Sequence, residues 1–271
     1  MKDTVIPFES LKAAVLQGHR NGCNELVLSG GEPTLYPEHI IELISLAVTL
    51  GYRKYIIQTN GYGLSKCEKL VSFLDYVAET TEICLSFSVH GHIANVHDDL
   101  CGNPGAFSSL MDAIDKASRT HCKIYTNTVI NARNLIHLND VATLLMPYKP
   151  DIMQFSMMHL KEKTELSVSL ENSVRAIKKL KDIVSLDVLK TEGVPYCLLH
   201  GMESCVGESA WPTVLDLYNK DNDYMSDFKQ LDYGMRSKME NCDKCIMNKI
   251  CMGVWKEHFE EFSNMRIHPI V

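Results

Sequence analysis

Two groups of residues in this chain have the types and spacing to do chemistry. The first is Glu32, set behind Gly30 and Gly31 and ahead of Pro33. Adjacent glycines allow a tight turn and let a ligand approach bare backbone. The apolar run Leu26, Val27 and Leu28 before them reads as a strand buried on both faces. The turn then delivers a carboxylate to the carboxyl end of a strand, where α/β sheets bind their ligands. The second group is Cys242 and Cys245 in a CxxC pair, with Cys251 six residues further on. CxxC brings two thiolates onto one metal through a tight turn, and a third can fold back to the same centre. Cys197 is the natural fourth ligand, with Cys205 in reserve. Four thiolates suit zinc and an iron-sulfur cluster equally well.

These residues need elements to hold them. Apolar spacing predicts helices over 7–20, 37–51, 65–77, 106–118, 135–146 and 170–183. Strands are expected at 24–29, 54–59, 83–89, 123–130 and 151–157, with a sixth near 186–190. Such alternation makes a parallel sheet with right-handed crossovers. Polar residues gather at the expected strand ends: Glu32, Asn60, Ser88, His90, Asn131 and Gln154. A packed strand has no structural need of them there, so they mark a shared ligand face. His90, His92 and His97 are candidates for acid, base or ligand roles beside it.

At 271 residues the chain fits one α/β domain with a modest appendage. A net charge of -7 with interspersed signs argues against a nucleic-acid footprint. No apolar run reaches membrane-spanning length, and no signal peptide opens the chain, so the expected location is cytoplasmic. In a reducing compartment ten cysteines are core residues and metal ligands rather than disulfides. Cys23, Cys84 and Cys122 are expected in the core.

The Gly30-Gly31-Glu32-Pro33 stretch after its apolar strand resembles the signature of the radical S-adenosylmethionine (SAM) superfamily. The resemblance implies an α/β fold, a partial (β/α)6-type parallel barrel missing its first strand, over residues 1–190. It implies that Gly30, Gly31, Glu32 and Pro33 hold the amino group of SAM, with Asn60, Ser88 and Gln154 contacting its ribose, carboxylate or adenine. Residues 191–271 resemble the SPASM or twitch auxiliary-cluster extension, a small cysteine-rich tail. There Cys197, Cys242, Cys245 and Cys251 would hold a [4Fe-4S] cluster, with zinc as the alternative. Trp255 stands where that pattern has a further cysteine, which fits the single-cluster version.

The superfamily holds its SAM-chelating [4Fe-4S] cluster in a CxxxCxxC loop. No such loop occurs in these residues, and only Cys23 precedes Gly30. The expectation is a truncated radical SAM enzyme whose first cluster needs a restored upstream segment; the alternative is a catalytically silent SAM- or metal-binding module. An active form would abstract hydrogen from a substrate, by analogy a peptide, with flavodoxin or ferredoxin as electron donor.

Overall fold

The computed structural model describes residues 6–159, 162–210, 216–218, 224–226, 234–265, 267, 269 and 270. The Trp211-Pro212 segment of the tail lies outside these. Six strands form one open sheet in chain order, with β1 (Glu25–Leu28) and β6 (Leu189–Glu192) at its edges. Between them come β2 (Lys54–Thr59), β3 (Glu82–Ser88), β4 (Lys123–Ile130) and β5 (Ile152–Met157). The pairs β1–β2, β2–β3 and β5–β6 are parallel. This is the parallel α/β sheet expected from the alternation of elements, and the partial-barrel class that the resemblance implied. The chain divides into two compact units: one holds β1–β3 and the residues up to Tyr125 in β4, the other the remainder of β4, β5, β6 and the cysteine-bearing tail.

In the first unit, α1 (Phe8–Arg20), α2 (Pro37–Thr49), α3 (Tyr62–Lys66) and α4 (Glu68–Ala78) flank the strands. Tyr55 and Ile57 of β2 alternate with exposed or half-buried Lys54, Ile56 and Gln58. Their buried side joins Ile44, Leu70, Leu74, Ile83 and Phe87 in one core. The expectation that β1 is buried on both faces fails. Val27 is 39% exposed because β1 is an edge strand, paired on one side alone. The predicted 65–77 helix is two helices, broken at Cys67.

In the second unit, β4 alternates as well: Thr126, Thr128 and Ile130 are buried while Asn127 and Val129 are half-buried. A helix missed in the sequence, α5 (Ala94–Cys101), follows β3. Its eight residues bury only His97, so no apolar stripe announces it. After α6 (Ala106–Ala117), which belongs to the first unit, come α7 (Leu138–Leu145) and α8 (Leu170–Lys179). The sixth strand starts three residues later than expected and ends two later. The tail holds a short antiparallel pair, Arg236–Ser237 with Val254–Trp255, and a last helix, Phe259–Asn264. Glu261 of that helix accepts from the backbone N–H of Leu170 (2.8 Å) and Glu171 (2.9 Å), capping the start of α8.

Candidate functional site

The glycine turn after β1 is built by backbone geometry. Gly30 and Gly31 have φ of +85° and +56°, a region that a side chain disfavours. A Cβ on either would meet nothing within 4 Å, so conformation rather than crowding demands glycine. Glu32 is half-buried beyond the turn. Its Oε1 accepts from the Thr34 N–H (3.1 Å), from the Thr34 hydroxyl and from the Thr59 hydroxyl (2.7 Å). Its Oε2 accepts from the Asn60 N–H at 2.6 Å. The carboxylate is therefore clamped between the turn and the end of β2, and Oε2 keeps acceptor capacity for a further donor. Thr34 and Thr59 are almost fully buried.

The clamp has its own support. The Asn60 side chain accepts from the Tyr62 N–H (2.9 Å), and the Thr59 hydroxyl accepts from Gly61 N–H (2.9 Å). A Cβ on Gly63 would lie 2.1 Å from the Thr34 carbonyl oxygen, so only glycine allows α3 to pass this close. Ser29 donates to Gln58 at 2.6 Å across the β1–β2 end. Ser88 ends β3 half-buried, and β1, β2 and β3 run parallel, so Glu32, Asn60 and Ser88 follow strand ends on one edge of this unit.

In the second unit, Gln154 belongs to a polar set on β4, β5 and β6. Gln154 Nε2 donates to Ser156 Oγ (3.0 Å) and Glu192 Oε2 (3.1 Å). Ser156 Oγ lies 2.9 Å from Glu192 Oε2 and 2.8 Å from Asn127 Oδ1, and its one proton serves one of them. Sequence reading missed Glu192; an acid closing the sixth strand was the available signal. His97 is buried, and its Nδ1 accepts from the His90 N–H at 3.2 Å. Burial, with His90 as a second cause, pushes its pKa down to about 4. Cys101 Sγ sits 3.4 Å from His97 Nε2, at the end of α5.

Cys197, Cys242, Cys245 and Cys251 line one pocket. Burial pushes the Cys197 thiol up to about 12, and Cys251, Cys242 and Cys245 push it the same way, as thiols sharing one space must. Cys245 N–H donates to the Cys242 carbonyl at 3.0 Å, the tight turn expected of CxxC. Gly253 N–H points at Cys251 Sγ (3.4 Å), and a Cβ on Gly253 would strike the Ser237 carbonyl oxygen at 2.2 Å. Cys205, the reserve ligand, is buried elsewhere, with its Sγ 3.8 Å from the Leu186 carbonyl oxygen. Cys84 and Cys122 are buried as expected, whereas Cys23 is half-buried.

Trp255 is buried beneath the Arg236 guanidinium, 3.7 Å from its ring centroid, and stacks on His159 at 4.6 Å. Arg236 Nη1 donates to Glu208 Oε1 (3.0 Å), which also accepts from the Gly193 N–H (2.5 Å). Burial pushes the Glu208 carboxyl up, and the Arg236 charge opposes that shift.

An open α/β sheet that sets a clamped carboxylate and free acceptor capacity at parallel strand ends is a small-molecule-binding scaffold. The chain belongs to the radical SAM superfamily, whose profile matches residues 2–145. Over 110 residues it is 30% identical to an AdoMet-dependent heme synthase of Methanosarcina barkeri, a match spanning 41% of this chain and 30% of that protein. The solved structure of native anSMEcpe with bound AdoMet and Kp18Cys peptide is 18% identical, with a TM-score of 0.66 over 98% of this chain and 85% of that one. Streptococcus suis SuiB bound to S-adenosylmethionine gives 16% and 0.63, covering 94% of this chain and 67% of that one. At such identities these two structures speak for the fold.

Proposed function

We propose that these residues form the SAM-binding and auxiliary-metal portion of a radical SAM enzyme that modifies a peptide. The observation that carries the SAM reading is Glu32. Four donors fix its carboxylate, and Oε2 retains a lone pair for an ammonium group. Gly30 and Gly31 expose backbone beside it, Pro33 stiffens the exit, and Asn60 and Ser88 of the same unit would supply polar contacts for the rest of the ligand. Gln154 lies in the second unit, and a role for it rests on the resemblance alone. SAM held there would supply hydrogen-abstraction chemistry once paired with a reduced cluster. The chain's own residues bind and orient it. The CxxxCxxC loop for that cluster is not among the 271 residues, so no electron-transfer step is assigned to them.

Four soft thiolate donors around one pocket fit an iron-sulfur cluster or zinc. Cys197, Cys242, Cys245 and Cys251 would hold it, and we favour iron-sulfur given the superfamily. A peptide substrate is supported by the peptide-bound anSMEcpe; a flavodoxin or ferredoxin would be the reductant. No described helix is long and apolar enough to cross a membrane.

Calorimetry should detect SAM binding to this chain, weakened in Glu32→Gln. Anaerobic reconstitution followed by dithionite and SAM should yield no 5′-deoxyadenosine above background. Binding that ignores the substitution, or turnover by this chain, would overturn the respective half of the reading. Binding with no turnover even after a CxxxCxxC segment is supplied would favour a silent binding module.

A further inference from the structure

Outside the sites above, the second unit brings together two imidazoles and a carboxylate: His92, His137 and Asp140. One donor atom from each lies within 4.8 Å of the other two. His137 Nδ1 is 3.0 Å from Asp140 Oδ2, and His92 Nε2 is 3.9 Å from the same oxygen. The two rings face each other at a tilt of 37°, their centroids 4.6 Å apart. Metal–nitrogen and metal–oxygen bonds near 2.1 Å place neighbouring donor atoms about 3.0–3.5 Å apart, so these distances need little adjustment.

His92 is the anomaly that asks for an explanation. Its Nδ1 is buried and has no hydrogen-bond partner among the described residues, and the 3.9 Å from Nε2 to Asp140 is too long for a hydrogen bond. Among the described residues this half-buried imidazole thus makes no hydrogen bond on either nitrogen, its one polar approach being the 3.9 Å to Asp140. An ion on Nε2 would turn the long approach to Asp140 into a shared bond, although the buried Nδ1 would still lack a partner.

The two ligand-bearing segments are also held in place. Gly91 lies so close to the start of α5 that a Cβ there would meet the His97 backbone nitrogen at 2.7 Å, which fixes where His92 begins. Asn134 is fully buried, and its Nδ2 donates to the carbonyl oxygens of His90 (3.1 Å) and Val129 (2.9 Å). Its own carbonyl accepts from the His137 N–H at 2.8 Å. One buried asparagine, through its side-chain amide and its backbone carbonyl, therefore ties the His92 loop to the His137 turn. The open side of the trio is wet, since the side chains of His92, His137 and Asp140 are 21%, 30% and 54% exposed.

We infer that His92, His137 and Asp140 bind a zinc-type divalent transition-metal ion, leaving coordination positions open to water or an anionic ligand. Two imidazoles with one carboxylate favour zinc and its neighbours over magnesium or calcium, which take oxygen ligands. This site is separate from the four-cysteine pocket and does not depend on the SAM reading.

Zinc titration of the full chain tests it, with stoichiometry read by calorimetry and metal analysis. The wild type should hold one more equivalent than His137→Gln or His92→Gln, or these variants should hold that equivalent roughly ten- to a hundred-fold more weakly. Cys245→Ala should retain it. Equal stoichiometry and affinity in wild type and both histidine variants would overturn the inference. So would displacement by equimolar magnesium, which would mark an ion held by Asp140 alone. Should a variant misfold, diethyl pyrocarbonate labelling of the wild type decides. Zinc should shield both histidines, and labelling unchanged by zinc refutes the site.

Discussion

Glu32 serves the fold and the ligand together. Its two oxygens already join the glycine turn to Thr59 and Asn60, so Glu32→Gln should lower the melting temperature besides weakening SAM. Loss of a charged hydrogen bond worth about 1.5–3 kcal/mol predicts an affinity drop of roughly ten- to a hundred-fold by calorimetry. His97 makes a pH prediction. Its folded pKa of about 4 lies below the ordinary 6.5, so the unfolded chain takes the proton first as pH falls. Its contribution to stability is complete above pH 6.5 and is lost on descending toward pH 4. Urea midpoints across that range should fall, and less steeply in His97→Asn. The glycine turn was legible because its cause is local: two glycines permit what no other pair does. The partners of Glu32 and Gln154 were not. Thr59 and Glu192 reach them through strand pairing, which brings together residues 27 and 38 positions apart.

At the scale of elements, periodicity located the strands and most helices, since their buried faces repeat at regular spacing. It failed at α5, whose buried residue is a histidine, and at β1, whose apolar run promised more burial than an edge strand receives. In the tail, Cys245→Ala should lose the auxiliary metal. Hydrogen exchange should then quicken in the Glu240–Lys244 turn and the Arg236–Ser237 and Val254–Trp255 strands, while β2 and β3 stay protected. A variant with full metal content and unchanged exchange would reduce these cysteines to ordinary thiols. Gly253→Ala should act on the same elements without touching a thiol. Its φ of +82° and the Ser237 carbonyl oxygen leave no room for a Cβ. Lower metal occupancy at constant cysteine count, read by metal analysis, is the expected result.

For the whole molecule, the superfamily profile covers residues 2–145, while the likeness of fold to anSMEcpe runs through 98% of the chain. Ligand linkage gives a test at this scale. SAM at a hundred times its dissociation constant should stabilise the native chain by about 2.7 kcal/mol, raising the melting temperature by roughly 5–10 °C. Glu32→Gln should show a much smaller rise at the same concentration. Trp255, which packs against Arg236 and His159, has an optical consequence. Four residues along the sequence from Cys251, its indole would be an emitter for the centre proposed at the four cysteines. An iron-sulfur cluster absorbs where indole emits and would quench it by energy transfer, whereas colourless zinc would leave it bright. In a Trp211→Phe background, the fluorescence of this one side chain would therefore report which metal the pocket holds.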